Sequence, residues 1–172
     1  MSTTNSDTFF PLNICVLTVS DTRDQTNDTS GSALCNELKE AGHHLYARHL
    51  VKDDIYQIRA HTSQWIADDQ AQVILITGGT GFTGRDSTPE AVIPLFDKTI
   101  VGFGELFRQL SFTEIGTSTV QSRACGGLAN RTLVFCLPGS TNACKTAWQK
   151  ILLQQLDNRT RPCNFYDQVK FM

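Results

Sequence analysis

The chain has 172 residues, 40% of them hydrophobic, which is enough for one domain with a sizeable core. Its 15 basic and 17 acidic residues give a net charge of −2, leaving neither a basic stripe for nucleic acid nor a like-charge run for a membrane surface. No apolar run approaches the roughly 20 residues that span a bilayer.

The opening MSTTNSDTFFPLN has neither the positive start nor the apolar stretch of a signal peptide and reads as a polar lead-in over residues 1–11. NICVLTVSD (13–21) is a short apolar run that suits a strand buried on both faces. DTSGSALCNELKEAGH (28–43) reads as a capped helix with Leu34, Leu38 and Ala41 at helical spacing and Gly42 as its stop. LYARHLV (45–51) predicts a second strand. DDIYQIRAHTSQWIADD (53–69) predicts a helix with Ile55, Ile58, Trp65 and Ile66 on one face.

QVILIT (72–77) is the clearest buried strand, and a glycine-rich loop follows it. Thr88 as N-cap with Pro89 at the first helical position then starts a helix at TPEAVIPLF. GELFRQLSFTEI (104–115) predicts a further helix, RTLVFCLP (131–138) a strand, and STNACKTAWQKILLQQLD (140–157) a long terminal helix. Strands alternating with helices imply a three-layer α/β/α domain on a mostly parallel sheet. In such sheets ligands bind beyond the carboxyl ends of the strands. The loops SDTRD, TGGTGFTGRD and PGSTNA are predicted to converge there.

Six cysteines (15, 35, 125, 136, 144, 163) show no CxxC, so core thiols in a reducing cytoplasm are favoured over a disulfide framework. The histidines at 43, 44, 49 and 61 do not pair with them at zinc-ligand spacing. His43-His44 reads as a solvated helix end.

The stretch ITGGTGFTGRDSTPEA (76–91) carries the chemistry. Gly79, Gly81 and Gly84 spell the dinucleotide pattern GxGxxG, but this loop follows a later strand and its helix starts several residues after Gly84. Gly79 and Gly84 also have the outer spacing of a P-loop, yet Arg85-Asp86 stands where Lys-Ser/Thr is required. A carboxylate beside a phosphate costs about 4 kcal/mol per unit charge at 4 Å in an effective dielectric near 20. Asp86 must therefore face away or act through a cation, and magnesium that also touches phosphate oxygens resolves the conflict. A turn serving only chain reversal explains one or two glycines, but not Thr77, Thr80, Asp86 and Thr88 crowded at one strand end.

TGGTGFTGRDSTPEA resembles the signature loop of the MoaB/Mog family of molybdenum cofactor biosynthesis proteins. LTVSDTR with DTSGSALCNEL, VKDDIYQIR, GFGELFRQLSFTEIGTSTVQSRA, LPGSTNACKTAW and QLDNRTRPCNF agree, from about residue 12 to 166. The last three resemble the MoaB branch. The resemblance implies an α/β/α sandwich that self-associates as a trimer, or as a hexamer in this branch. It also implies adenylylation of molybdopterin by Mg-ATP, with release of pyrophosphate.

Two aspartates are implied as catalytic and magnesium-holding: Asp86 in the glycine loop, and Asp53 after the second strand, where Lys52 replaces a proline frequent in the family. Phosphate transfer between anions needs alignment and charge cancellation more than base catalysis. The amides of Gly78, Gly79, Thr80 and Gly81 and the turn Pro138, Gly139, Ser140 suit the cradling of phosphate oxygens. Arg85 and Thr88 belong to the same binding set, and Ser20, Asp21, Ser30 and Gly31, matching an SD…SG pattern, are expected to line the cleft. Glu105 corresponds to an acidic residue near the pterin, although a surface ion pair with Arg108 also explains it. The alternative to the enzyme is a non-catalytic protein that binds molybdopterin or a precursor, or assembles with other proteins of the pathway. Retention of both aspartates favours catalysis. No nucleic-acid or membrane partner is expected, and the cytoplasm is the expected location.

Overall fold

The computed structural model describes residues 7–171; positions 1–6 of the lead-in and Met172 lie outside the described residues. Six strands form one mixed sheet: β1 (Asn13–Val19), β2 (His44–Val51), β3 (Val73–Thr77), β4 (Lys98–Thr99), β5 (Cys125–Ala129) and β6 (Thr132–Leu137), in the order β2-β1-β3-β6-β5-β4. The first four in that order are parallel, whereas β5 and β4 pair antiparallel at one edge. The helices are α1 (Thr29–Glu40), α2 (Ile55–Ala67), α3 (Thr88–Val92), α4 (Val101–Ile115), α5 (Thr141–Ala147) and α6 (Leu153–Gln155).

Strand alternation divides the apolar side chains between two cores, because successive residues point to opposite faces. Ile14, Val16, Val73, Leu75, Leu133 and Phe135 pack with Leu34 and Leu38 of α1, Phe103 and Phe107 of α4, and Trp148. Cys15, Leu17, Ile74, Ile76, Val134 and Cys136 pack on the opposite side with Ile58 and Trp65 of α2 and with Ala91 and Val92 of α3. Burial on both faces is why β1, β3 and β6 read as continuous apolar runs. The α/β/α sandwich is thus the architecture, with an antiparallel margin added to the expected parallel sheet.

Helix starts follow local chemistry. The Asp28 carboxylate accepts from the Gly31 amide at 2.9 Å, and Asp54 accepts from Tyr56 and Gln57. Gly42 leaves α1 with φ +89, a conformation that favours glycine.

The structure departs from the sequence reading at several points. Ser87, not Thr88, is the N-cap of α3. Thr88 is fully buried and donates its hydroxyl to the Gly78 carbonyl at 2.8 Å, so it ties the helix to the loop instead of capping. The predicted terminal helix is interrupted: residues 148–152 wind as a wider π-helical segment between α5 and α6, with Trp148, Ile151 and Leu152 buried. α4 starts at Val101, three residues before the predicted start.

His43 is not at a solvated end. It is buried beside Phe9 and Trp148, and its Nδ1 accepts from the Leu12 amide at 3.1 Å. Its neighbour His44 is exposed. Residues 7–11 of the lead-in run along the domain, where the Phe10 amide donates to Asn158 Oδ1. At the other terminus Val169 is buried, and Lys170 Nζ donates to the carbonyls of Ile66 and Asp68 at the carboxyl end of α2. Of the cysteines, 15, 35, 136 and 144 are buried, Cys125 is half-buried and Cys163 is exposed.

Candidate functional site

The chain leaves β1 toward β2 on one side and later returns to β3 on the other, so the loops after β1 and β3 diverge and open a crevice at their carboxyl ends. The loop after β6, next to β3, closes the same crevice from the side. A cavity of about 760 Å³ occupies this position, lined by residues 19–23, Asp53, 78–81, Thr83, Arg85, Asp86 and 138–140. Four loops distant in sequence, those after β1, β2, β3 and β6, thus share one cavity.

Asp53 follows β2 and is buried, with Oδ1 accepting from the amide and hydroxyl of Ser87 at 3.2 and 3.0 Å. Burial pushes its carboxyl up; Ser87 opposes this, while the nearby charges of Asp86 and Asp21 add to it. Asp86 is half-buried and turns Oδ2 back to its own loop, accepting from the amide and hydroxyl of Thr83 at 2.9 and 2.6 Å. The Thr83 hydroxyl is the main reason its carboxyl is held below the usual range.

The glycines make room for these carboxylates. A Cβ on Gly79 would lie 2.8 Å from Asp53 Oδ2, and one on Gly81 would lie 2.7 Å from Asp86 Oδ2. Gly78 brings the loop against β1, since a Cβ there would sit 2.1 Å from the Val19 carbonyl oxygen. The glycine pattern is therefore fitted to two aspartates and a neighbouring strand.

Among the described residues no group of three or more His, Cys, Asp or Glu side chains could hold a metal ion. Two separate carboxylates facing one cavity suit magnesium, which takes one or two protein carboxylates and completes its shell with water and substrate phosphates. The donor set does not form a resident all-protein cage.

Positive charge reaches the cavity from Arg23 and Arg85. Arg85 makes a two-pronged contact with Asp21, Nε to Oδ2 and Nη2 to Oδ1, both 2.8 Å. This guanidinium holds the Asp21 carboxyl down at about 2. Asp21 Oδ1 also accepts from the Asp53 amide, and Lys52 Nζ donates to the Asp21 carbonyl, so the loop after β2 is tied to the loop after β1. Ser20 Oγ accepts from the amides of Thr22 and Arg23, and Ser140 caps α5 by accepting from Ala143.

The residues that sequence reasoning assigned to the cleft divide into two sets. Ser20, Asp21, Asp53, Gly78, Gly79, Thr80, Gly81, Arg85, Asp86, Pro138, Gly139 and Ser140 line it. Ser30, Gly31 and Thr88 are buried behind its walls. Ser30 accepts from Arg23, Gly31 donates its amide to the capping Asp28 and packs so closely that a Cβ would lie 2.2 Å from Asp28 Oδ2, and Thr88 holds Gly78. Glu105 is exposed on α4 and away from the cavity lining, and Arg108 turns instead to the carbonyls of Ser122 and Ala124.

Sequence reasoning missed the opposite wall. Phe107, Ser111 and Ile115 of α4, with Ser118, Gln121 and Ser122 beyond it, complete the cavity with apolar and hydroxyl groups. Phe107 and Ser111 stand four residues apart on one helix face. The clue was present in the sequence, but only the docked helix shows that this face meets the glycine loop.

The model of the probable molybdopterin binding domain matches residues 15–158. The chain belongs to the MoaB/Mog family. Molybdenum cofactor biosynthesis protein B of Escherichia coli K12 is 57% identical over 165 residues, covering 96% of this chain and 97% of that protein. The protein of the same name from Bacillus subtilis strain 168 is 44% identical over 147 residues, covering 85% and 86%. A crystal structure of a molybdenum cofactor biosynthesis protein B superposes with a TM-score of 0.83 at 44% identity, covering 86% of this chain and 92% of that one. These relatives place this member of the family on its MoaB branch, as the terminal motifs indicated.

Proposed function

We propose that this chain acts in molybdenum cofactor biosynthesis by adenylylating molybdopterin with Mg-ATP in the cytoplasm. The observation that carries the reading is the convergence of Asp53, Asp86 and the glycine-loop backbone on one cavity at the switch point of the sheet. The terminal phosphate of molybdopterin attacks the α-phosphorus of ATP; a P–O bond forms there, and the bond to the β-phosphate breaks to release pyrophosphate. Magnesium, carried in with ATP, supplies charge cancellation on the phosphates, and Asp53 and Asp86 are the residues that would hold it. The amides from Gly78 to Gly81 and the turn at 138–140 orient phosphate oxygens, while Arg23 and Arg85 add positive charge. The wall of Phe107, Ser111 and Ile115 offers a surface for a flat ring.

A second reading, a non-catalytic binder of molybdopterin or a precursor, is favoured by one feature: the Asp86 carboxylate is already engaged by Thr83. Purified protein incubated with molybdopterin, ATP and magnesium should yield adenylylated molybdopterin and pyrophosphate. Tight pterin binding without product would favour the second reading and overturn the first. Self-association as a trimer or hexamer, with the hexamer favoured, and contact with other proteins of the pathway belong to the same proposal.

A further inference from the structure

The glycine loop has few constraints of its own. Between the Gly78 amide, bonded to the Leu137 carbonyl, and the Thr88 amide, bonded to the Gly79 carbonyl, the one internal backbone bond among the described residues runs from the Asp86 amide to the Thr83 carbonyl. Gly84 meets nothing within 4 Å of a would-be Cβ. A segment this rich in glycine and this poor in internal bonds samples many conformations unless another element fixes it.

Beside the ties already described, Arg85 to Asp21, Asp86 to Thr83 and Ser87 to Asp53, the loop is held by Arg123, which precedes β5 and reaches it from about 40 residues further along the chain. Its Nε donates to the Thr80 carbonyl at 3.1 Å and its Nη2 to the Asp86 carbonyl at 3.2 Å. Its Nη1 pairs with Glu90 in the first turn of α3. The guanidinium carbon lies 5.2 Å from the centroid of Phe82, whose ring is otherwise largely exposed. One rigid fork thus holds the beginning of the loop, its tip, its end and the following helix. A lysine, with one nitrogen and no plane, cannot reproduce that set.

We propose that Arg123 is a positioning residue: it selects the glycine-loop conformation in which Asp86 and the backbone amides face the cavity. It does not line the cavity, so it acts through Asp86 and the loop. The consequence of its loss is a mobile loop on an intact domain. The inference rests on the proposed adenylylation only where turnover is concerned, since the loop's conformation is measured without substrate.

The test is amide hydrogen exchange on the full chain, wild type beside Arg123→Met, Arg123→Lys and Glu90→Gln. Arg123→Met should speed exchange of the hydrogen-bonded loop amides of Thr83, Asp86 and Ser87 by about tenfold or more, with protection in β1, β3 and β6 unchanged. Arg123→Lys should resemble Arg123→Met. Glu90→Gln, an exposed change that removes only one anchor, should speed the same segment less and guards against an Arg123 variant that fails to fold. Where wild type turns over, Arg123→Met should lower kcat about tenfold to a hundredfold with little change in KM for molybdopterin. Unchanged loop exchange in Arg123→Met and Glu90→Gln overturns the proposal, as does a loss of protection spread over the whole sheet. A wild type without turnover sinks the adenylylation reading alone, because the exchange comparison still decides the role of Arg123.

Discussion

At the scale of single residues, Asp86 is the sharpest probe. Asp86→Asn keeps an oxygen for Thr83 and removes the charge, so the loop should persist while magnesium loses a carboxylate partner. Turnover should fall about a hundredfold to ten-thousandfold, with melting temperature and pterin affinity nearly unchanged. Wild-type adenylylation by this variant would show that the aspartate is not catalytic. His43 gives a prediction in pH. Burial lowers its folded value from 6.5 to about 4, only partly offset by the charge of Asp157, so the folded chain holds it neutral. Its contribution to stability is complete above pH 6.5 and is lost as pH falls through about 4, on the order of 3 kcal/mol in all at 1.36 kcal/mol per pH unit. Unfolding titrations should show that loss between these values in wild type. A His43→Gln variant should lack it.

At the scale of elements, the antiparallel edge shows how packing overrode a weak strand signal. CGGLA has too little apolar or β-branched character to be read as a strand, yet it pairs along β6 from Cys125 to Ala129. Its glycines are required by space: a Cβ on Gly127 would lie 2.3 Å from the Phe96 ring, and one on Gly126 would lie 2.8 Å from the Phe135 ring. Gly127→Ala should therefore destabilise the domain by about 1–3 kcal/mol through overpacking, visible as a lower urea midpoint with an unchanged slope. A midpoint equal to wild type would mean that Phe96 moves aside without cost. The interrupted terminal helix has the same character. Its sequence has one helical period throughout, and only the docked positions of Trp148, Ile151 and Leu152 reveal the wider segment.

At the scale of the whole molecule, apolar residues remain exposed on α4 and the turn beyond it: Phe112 at 56%, Ile115 at 52% and Val120 at 78%. Exposed apolar side chains of this size suit a protein interface. Sedimentation at micromolar concentration should give a multiple of the single-chain mass, with a hexamer expected over a trimer. Phe112→Asp should shift the population toward smaller species. A wild-type chain that sediments as a monomer would refute self-association. Ile115 also lines the cavity, so burial of this patch would shield one side of the site.

The amino-acid sequence by itself determined the alternation of strands and helices, the buried strands β1 and β3, and the three loops that meet at the cavity. These follow from local periodicity, capping residues and the rule that parallel sheets open at their carboxyl ends, all of which act over short stretches of chain. It also showed Asp86 as a charge that needed an explanation. Tertiary structure decided what depends on residues far apart in the chain. It buried His43, which two neighbouring histidines in a polar stretch gave no reason to expect. It moved Thr88 from a helix cap to a loop tie, set Ser30 and Gly31 behind the wall, and left Glu105 outside the cavity. It brought α4 opposite the glycine loop and carried Arg123 across to hold that loop. Contacts of this kind leave no periodic trace, because they depend on where the folded elements come to rest against one another.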